Sequence, residues 1–359
     1  MAADSPLGPS GTGQSPSAGR EPVLAVEDLT VRFPSDDGPV AAVRGMSYTL
    51  APREVLGIVG ESGSGKSTAG LAVMGLLPRS AQATGRILFE GQDLLAMPER
   101  RRRALRGRRI AMVFQDPMST LNPVLSVGQQ VAEAVRSHQA VSRRAALARA
   151  AELLDLVGIP QPAQRLRSYP HEFSGGMRQR VLIAMAVANN PDVIIADEPT
   201  SALDVTVRAQ ILELLMEVKE VVGAAIVLIT HDLAAVAGTA QRVLVMYAGR
   251  PVEIGTTEDV FAAPRMPYTA GLLGAIPGRG RPRGRLRSIP GAPPSMINLS
   301  PGCPFRPRCP IRREPCDSQE PLLAQTERTG HLSACHDWRL LAAEPDPQQL
   351  FGSEKVEAG

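Results

Sequence analysis

A glycine-rich loop between two apolar segments carries the strongest chemical signal in the sequence. Residues 60–68 read Gly-Glu-Ser-Gly-Ser-Gly-Lys-Ser-Thr, which matches the spacing G-x-x-x-x-G-K-[ST]. The apolar run 55–59 before the loop predicts a strand, and the apolar run 69–77 after it predicts a helix. Glycines let the backbone of such a loop curl its N–H groups around an anion. The pattern predicts a phosphate site in which Lys66 contacts the β/γ-phosphates and the Ser67 hydroxyl binds Mg²⁺.

Polar side chains also follow three other predicted core strands. These runs and their polar ends are 110–114 with Gln115, 192–196 with Asp197 and Glu198, and 224–230 with His231. Ligands of parallel α/β sheets bind where the strands end, so these side chains are expected near the phosphates. Asp197 is placed to hold Mg²⁺ and Glu198 to polarise an attacking water. Gln115 is expected to reach either the metal ion or that water.

A second segment that is suited to binding a phosphate lies far along the chain. Ser174, Gly175 and Gly176 open an amphipathic helix, and a helix start of this kind presents N–H groups and a positive dipole end to an anion. Two such helix starts in one chain are hard to explain with one nucleotide. Phe33 ends the first predicted strand, where its ring could stack on a purine base or be an ordinary strand-end aromatic.

The remaining patterns predict the elements that position these groups. Residues 24–33 and 40–50 alternate in polarity and predict a β-hairpin. Residues 84–89 predict another strand, and the arginine-rich stretch 97–109 predicts a solvated helical surface. Between 124 and 167 the apolar spacing is helical, which predicts a small helical insertion.

Composition narrows the class of protein. The chain has 359 residues with 43% hydrophobic content, enough for two domains or one large domain with appendages. Its formal net charge of +3 gives no general electrostatic case for a nucleic-acid partner. Residues 1–20 lack the basic start and apolar core of a secretory signal. No apolar run approaches the roughly 18–20 residues of a membrane helix, so a membrane role is expected to come through partners.

All the cysteines lie near the C-terminal end of the chain. They are Cys303, Cys309, Cys316 and Cys335. Clustered cysteines in a chain without a secretory signal favour metal or redox chemistry over structural disulfides. Four thiolates can hold Zn²⁺ or a [4Fe–4S] cluster, and the spacing differs from the paired Cys-x-x-Cys of common zinc sites. Unligated or disulfide-bonded cysteines remain a third possibility.

Taken in order, the motifs resemble those of the ATP-binding subunits of ABC transporters, from about residue 22 to residue 315. The resemblance implies an α/β fold: an ABC-type P-loop NTPase core with an antiparallel β subdomain and a helical insertion, followed by a small irregular C-terminal cysteine-rich extension. It assigns ATP binding to Phe33, Gly60, Ser62, Gly63, Ser64, Gly65, Lys66, Ser67, Thr68, Ser174, Gly175 and Gly176. It assigns catalytic roles to Glu198, His231 and Gln115, and Mg²⁺ binding to Ser67, Gln115 and Asp197.

The family fold also explains the two anion sites. Two such domains dimerise head to tail, and each ATP lies between the phosphate loop of one chain and the Ser-Gly-Gly signature of the other. The signature departs from the usual Leu-Ser-Gly-Gly-Gln, with Phe173 and Met177 at its ends. Since the serine and the glycine backbone make the main phosphate contacts, ATP binding is expected to survive the change.

Further stretches are similar to the dipeptide/oligopeptide importer branch of this family. They are residues 114–118, 121–123, 267–269 and 289–294. This resemblance implies an ATPase that energises di/oligopeptide import from the cytoplasmic face of the plasma membrane. The implied partners are a second, related ABC ATPase chain, two transmembrane permease subunits and an extracytoplasmic peptide-binding protein. It also implies a [4Fe–4S] cluster on the four cysteines, with Zn²⁺ as the alternative.

Two other functions share part of this pattern. One is an importer ATPase for another cargo, such as nickel or an opine-like solute. The other is a soluble ABC ATPase acting on nucleic acid, which would need a long coiled-coil insertion or two tandem ATPase cores. The expected organisation is a disordered tail over 1–21 and an ATPase domain over 22–268 with a helical insertion at about 116–172. An extension over 269–345 would begin with an Arg/Gly/Pro-rich linker at 279–287, and a flexible tail would follow over 346–359.

Overall fold

A computed structural model describes residues 21–201, 203–276, 288–297 and 299–351 of the chain. The predicted N-terminal tail, apart from residue 21, and the predicted linker at 279–287 lie outside these residues. The strands are β1 Leu24–Phe33, β2 Val40–Leu50, β3 Val55–Val59, β4 Gln82–Phe89, β5 Gln92–Asp93, β6 Ile110–Val113, β7 Val193–Asp197, β8 Ala225–Thr230, β9 Arg242–Tyr247, β10 Arg250–Thr256, β11 Ala324–Gln325 and β12 Leu332–Ser333. The helices are α1 Lys66–Met74, α2 Glu99–Leu105, α3 Pro117–Thr120, α4 Val127–Arg136, α5 Arg143–Leu156, α6 Pro162–Arg165, α7 Gly175–Ala186, α8 Val205–Val222, α9 Leu233–Ala237, α10 Thr257–Ala262, α11 Pro267–Gly274, α12 Pro315–Ser318 and α13 Trp338–Ala343. Short 3-10 turns lie at Pro170–Glu172, Arg306–Arg308 and Pro347–Leu350.

These strands form two sheets of different character. One is antiparallel, with the strand order β2-β1-β4-β5, and it contains the predicted hairpin. The other has the order β11-β12-β10-β9-β3-β8-β7-β6, and its strands β9, β3, β8, β7 and β6 run parallel. The parallel strands are near-continuous apolar runs because both faces of this part of the sheet are covered. The predicted combination of an α/β core with an antiparallel β subdomain is confirmed.

Alternate residues of the central strand β3 pack into different apolar clusters. Leu56 and Ile58 belong to the cluster that includes the antiparallel sheet and α1. Val55 and Val59 belong to the cluster that includes α4, α5, α7 and α8. This alternation is the period of a strand whose side chains point to opposite faces of its sheet. The phosphate loop therefore leaves a strand that is fixed from both sides.

The segment between β6 and β7 is mainly helical. Helices α3 to α6 and the 3-10 turn Pro170–Glu172 fall within the predicted insertion. Helix α4 begins with a capping box in which the Ser126 hydroxyl accepts from the Gln129 N–H and the Gln129 side chain accepts from the Ser126 N–H. Phe173 lies just before α7 and is buried, so the residue that departs from the usual signature fills the core at this point.

The C-terminal segment, described over residues 288–297 and 299–351, packs into the same core as the ATPase elements. Strand β12 pairs with β10 through Glu253 opposite Ser333 and Ile254 opposite Leu332. The ring of Phe305, 1% exposed, meets those of Tyr247 and Tyr268 at 5.3 and 5.5 Å between centroids. The segment thus shares both sheet and core with residues assigned to the ATPase domain.

Part of the predicted flexible tail differs from that expectation. Residues 347–350 form a 3-10 turn that packs near α11, and the Phe351 side chain is 3% exposed. The structure describes this tail only as far as residue 351. Burial of the Phe351 ring holds this part of the chain against the core. The residues around Phe351 are mostly polar, so the sequence did not predict this packing.

Candidate functional site

The phosphate loop connects β3 to α1, and two of its glycines have no substitute. Gly60 has φ +155°, and a Cβ there would lie 2.3 Å from the carbonyl oxygen of Met246. Gly65 has φ +99°, and its Cβ would lie 2.1 Å from the carbonyl oxygen of Ala42. Both approaches are far below van der Waals contact with backbone atoms that cannot move aside. The loop can therefore follow this path only with glycine at these positions.

Lys66 is folded back onto the loop. Its side chain is buried, and Nζ donates to the carbonyl oxygens of Gly60 and Glu61 at 2.8 and 2.9 Å. Burial lowers the pKa of the ammonium, and the carboxylates of Glu198, Asp197 and Glu61 counteract that shift in this order. An ammonium has three donors, so one remains for a further acceptor such as a phosphate oxygen.

Ser67 and Asp197 bring a hydroxyl and a carboxylate together. Ser67 Oγ donates to Asp197 Oδ1 at 2.8 Å, and Asp197 is 6% exposed at the end of β7. Burial raises the pKa of Asp197, the Ser67 hydrogen bond opposes this, and the negative charge of Glu198 raises it further. A bound cation would relieve this cost. Oxygen donors of these two kinds are the ligands that Mg²⁺ prefers, so the pair fits the predicted metal site.

The predicted catalytic side chains meet at Glu198. Gln115 Nε2 donates to Glu198 Oε2 at 3.3 Å, and His231 Nδ1 lies 3.2 Å from the same oxygen. Glu198 has a left-handed backbone with φ +44°, and its N–H donates to the carbonyl oxygen of Ile229 at 2.8 Å. Such a conformation costs a non-glycine residue about 1–3 kcal/mol and is typical of functional sites. The ends of three parallel strands thus bring together side chains far apart in sequence.

Ser174 and the two glycines after it lie apart from this group. The Ser174 hydroxyl caps α7 by accepting from the N–H of Met177 at 3.3 Å, and both Ser174 and Gly175 are exposed. A Cβ on Gly176 would lie 2.6 Å from Cγ1 of Val207 on α8. Within the described part of the chain, no hydrogen bond or ion pair links residues 174–176 to the phosphate loop.

Phe33 belongs to the antiparallel sheet, whereas the phosphate loop follows a strand of the parallel sheet. It is half-buried at the end of β1, opposite Val40. Its ring packs at the edge of the apolar cluster under the antiparallel sheet. The Phe33 ring, which the sequence predicts as a platform for base stacking, is therefore partly exposed.

Three residues at the loop escaped the sequence reasoning. The Glu61 carboxylate pairs with Arg308, and the Glu61 N–H donates to the hydroxyl of Tyr268 at 2.8 Å. Glu61 and Arg308 are 247 positions apart, so no local pattern links them. Tyr268 belongs to one of the stretches that resemble peptide importers, and this was the only hint of its position.

The four cysteines converge on one open pocket, which they line together with His336 and Asp337. None is in a disulfide. Burial raises the pKa of Cys309 and of Cys335 to about 12, and it also raises that of Cys303. No three His, Cys, Asp or Glu side chains within the described ranges are grouped so that they could hold a metal ion. The donor types and their shared pocket suit a thiolate-bound group.

The helices of the described ranges are too short or too polar to cross a bilayer.

Comparison with known families gives two matches. Residues 43–201 match the ABC transporter family, and residues 252–316 match the C-terminal region of oligopeptide/dipeptide transporters. The first match covers the phosphate loop and ends just past Glu198. The second begins in β10 and ends at the third cysteine.

Several relatives match most of this chain. The oligopeptide transport ATP-binding protein OppD of Mycobacterium tuberculosis is 54% identical over 316 residues, covering 88% of this chain and 52% of the relative. This chain therefore spans about half the length of that relative. The dipeptide transport ATP-binding protein DppD of Bacillus subtilis is 51% identical, covering 88% of this chain and 94% of the relative. OppD of Salmonella typhimurium is 49% identical, covering 87% and 93%.

Solved structures share the fold of the ATPase part. The ATP-binding cassette MJ0796, in a dimeric post-hydrolysis state with ADP and Pi, superposes with a TM-score of 0.58 at 26% identity. The match covers 65% of this chain and 98% of that protein. CbiO1 of Clostridium perfringens, part of the transporter complex cbiONQ, gives a TM-score of 0.57 at 31% identity, covering 68% and 92%.

Proposed function

The chain belongs to the family of ABC transporter ATP-binding proteins, and from this premise we propose that it hydrolyses ATP to energise import of dipeptides or oligopeptides. The observation that carries the proposal is the meeting of Gln115, Glu198 and His231 beside the Ser67–Asp197 pair. The names of the relatives and the match of residues 252–316 support peptide as the cargo.

The proposed reaction joins a water oxygen to the γ-phosphorus of ATP and breaks its bond to the β–γ bridging oxygen. Glu198 acts as the base or polarises the water. Gln115 and His231 both contact the Glu198 carboxylate and hold it in place. His231 also contacts the γ-phosphate, and Gln115 reaches the water or the metal ion. Ser67, Asp197 and Gln115 would hold Mg²⁺, which neutralises phosphate charge when bound.

ATP is held mainly by the phosphate loop. The binding residues proposed there are Gly60, Ser62, Gly63, Ser64, Gly65, Lys66, Ser67 and Thr68. Lys66 brings a buried positive charge to the phosphates, where low solvent exposure strengthens the attraction. Phe33, whose ring is partly exposed, stacks on the adenine.

Ser174, Gly175 and Gly176 complete the site of another subunit. They are accessible at the start of α7 and make no bond to the phosphate loop of their own chain within the described residues. An exposed helix start is suited to a phosphate that arrives on a partner. We propose that this partner is a related but different ATPase chain. Two permease subunits and an extracytoplasmic peptide-binding protein complete a transporter on whose cytoplasmic face this chain is peripheral.

Peptide-stimulated hydrolysis tests the proposed function. The chain is co-purified with its membrane partners and placed in liposomes with the peptide-binding protein. We expect ATP hydrolysis to rise on addition of dipeptides or oligopeptides and to be unaffected by nickel. Stimulation by nickel in place of peptide would assign another cargo, and stimulation of the isolated chain by DNA or RNA would contradict a transport role.

Cys303, Cys309, Cys316 and Cys335 are the proposed ligands of a [4Fe–4S] cluster, with Zn²⁺ as the alternative. Their convergence on one pocket as free thiols supports this assignment. Thiols of raised pKa are protonated at neutral pH, so cluster or metal binding would displace their protons.

Metal and sulfide analysis distinguishes the two groups. In the full chain purified without oxygen, we expect about four iron and four acid-labile sulfide per chain. Cys309→Ser should lower both contents, whereas Ser318→Ala, an exposed change in the same segment, should leave them unchanged. About one zinc per chain without iron or sulfide would overturn the cluster, and absence of all three would leave the cysteines unligated.

A further inference from the structure

A buried arginine of the C-terminal segment contacts the phosphate loop directly. Arg308 Nη1 and Nη2 donate to Glu61 Oε2 and Oε1 at 2.7 and 2.9 Å, which is a two-bond fork. The Arg308 side chain is 5% exposed and that of Glu61 is 25% exposed. The pair is therefore largely shielded from water, and the two parallel bonds fix its orientation.

The guanidinium of Arg308 is held from several sides. Its Nε donates to the carbonyl oxygen of Pro290 at 2.9 Å. Its central carbon lies 5.9 Å from the ring centroid of Tyr247 and 5.9 Å from that of Phe305. An arginine fixed by hydrogen bonds and aromatic rings loses little further freedom when it binds a carboxylate. Arg308 is thus held in a fixed position, in which it binds the Glu61 carboxylate.

Glu61 is fixed at three points in the loop. Its side chain meets Arg308, its N–H donates to the hydroxyl of Tyr268 at 2.8 Å, and its carbonyl oxygen accepts from Lys66 Nζ at 2.9 Å. Lys66 is the residue assigned to the ATP phosphates. The position of Glu61 therefore bears on the position of the lysine ammonium.

We propose that Arg308 is a positioning residue for ATP binding and acts through Glu61. This inference rests on the proposed ATPase function. The two-bond fork holds the start of the phosphate loop, at Glu61, in one conformation before ATP binds. Less free energy is therefore lost in ordering the loop when ATP binds. It also neutralises a carboxylate that stands in the loop itself, where an unpaired negative charge would repel the phosphates.

Variants of both partners test the proposal in the full chain. We expect Arg308→Met to weaken binding of a fluorescent ATP analogue with Mg²⁺ by about 10- to 100-fold, the range for loss of a hydrogen-bonded charge. Arg308→Lys keeps the charge without the fork, so its loss should be smaller. The rate of hydrolysis at saturating ATP should change by less than about threefold, because the side chains around Glu198 are untouched.

The double variant Arg308→Met/Glu61→Gln shows whether the effect passes through Glu61. It should bind ATP at least as tightly as Arg308→Met alone, since the unpaired carboxylate is gone. If Arg308→Met and Glu61→Gln each weakened ATP binding and the two factors multiplied in the double variant, the proposal would be overturned. Arg312→Met is the matched control: it removes an exposed arginine from the same segment and should leave affinity unchanged.

The outcomes separate this inference from the proposed function. If the wild-type chain failed to bind the ATP analogue, the function itself would be contradicted. If the wild type bound it and Arg308→Met bound equally well, only the role of Arg308 would be overturned. Thermal unfolding without nucleotide, recorded for each variant, identifies any loss caused by unfolding: a variant still folded at the assay temperature but weak in ATP binding supports the proposal.

Discussion

Glu198→Gln is expected to slow ATP hydrolysis by about 10²–10⁴-fold while ATP binding is retained. The substitution keeps the size of the side chain and an oxygen that can accept from Gln115, but it removes the charge that polarises water. Since Lys66, Ser67 and Asp197 are unchanged, the groups around the phosphates remain in place. The expected product is a stable ATP-bound state that does not turn over.

Phosphate release and size-exclusion chromatography measure this effect. In the presence of ATP and Mg²⁺, the variant should form a long-lived dimer with itself or with the related ATPase chain. Glu258→Gln, an exposed change on α10, is the control and should hydrolyse ATP as the wild type does. A wild-type rate in Glu198→Gln would remove Glu198 from the reaction.

The phosphate loop and the edge around it could be predicted from sequence because their signals are local. The glycine spacing lies within nine consecutive residues between a strand pattern and a helix pattern. Gln115, Asp197, Glu198 and His231 each follow an apolar run. Strands of a parallel sheet end at one edge, so separate local signals combine into one site.

Contacts between distant segments could not be predicted in the same way. Arg308 ends a short 3-10 turn, and nothing in the sequence around it indicates Glu61 as its partner. Strand β12 has only two residues, too few for an alternating pattern to show that it extends the central sheet. Glutamate does not favour a left-handed backbone, so this conformation of Glu198 is imposed by the surrounding structure and could not be predicted from the residue type.

The same limit applies to the boundary between ATPase domain and extension. The composition changes after residue 268, and this change predicted a separate extension. The boundary falls inside α11, and the chain beyond it returns to cover β10 and to contact the phosphate loop. The chain beyond residue 268 is buried against a strand that is distant in sequence, and amino-acid composition cannot predict such a contact.

A buried contact between a carboxylate and a histidine ring joins this returning segment to the sheet. Glu253 on β10 and His331 just before β12 are both 0% exposed, and His331 Nε2 lies 2.7 Å from Glu253 Oε1. The Glu253 carboxylate also accepts from the backbone N–H groups of Arg265 and Met266. One carboxylate on β10 therefore binds polar groups from two other parts of the chain, residues 265–266 and residue 331.

Glu253→Ala is expected to lower the free energy of unfolding by about 3–5 kcal/mol, because it leaves buried donors without an acceptor. Glu253→Gln keeps one acceptor oxygen and should cost less. Glu258→Ala, an exposed change on the following helix α10, should stay within about 0.5 kcal/mol of the wild type. Urea unfolding followed by circular dichroism measures these differences.

Fluorescence of Trp338, the single tryptophan, reports on the C-terminal segment in the same experiment. If β12 and its neighbours fold as one unit with the parallel sheet, the fluorescence and circular dichroism transitions of the wild type should coincide. In Glu253→Ala both transitions should move together to lower urea. An early fluorescence transition with an unchanged sheet transition would show that the segment unfolds alone, and the shared core would then not extend cooperatively from the sheet to the cysteines.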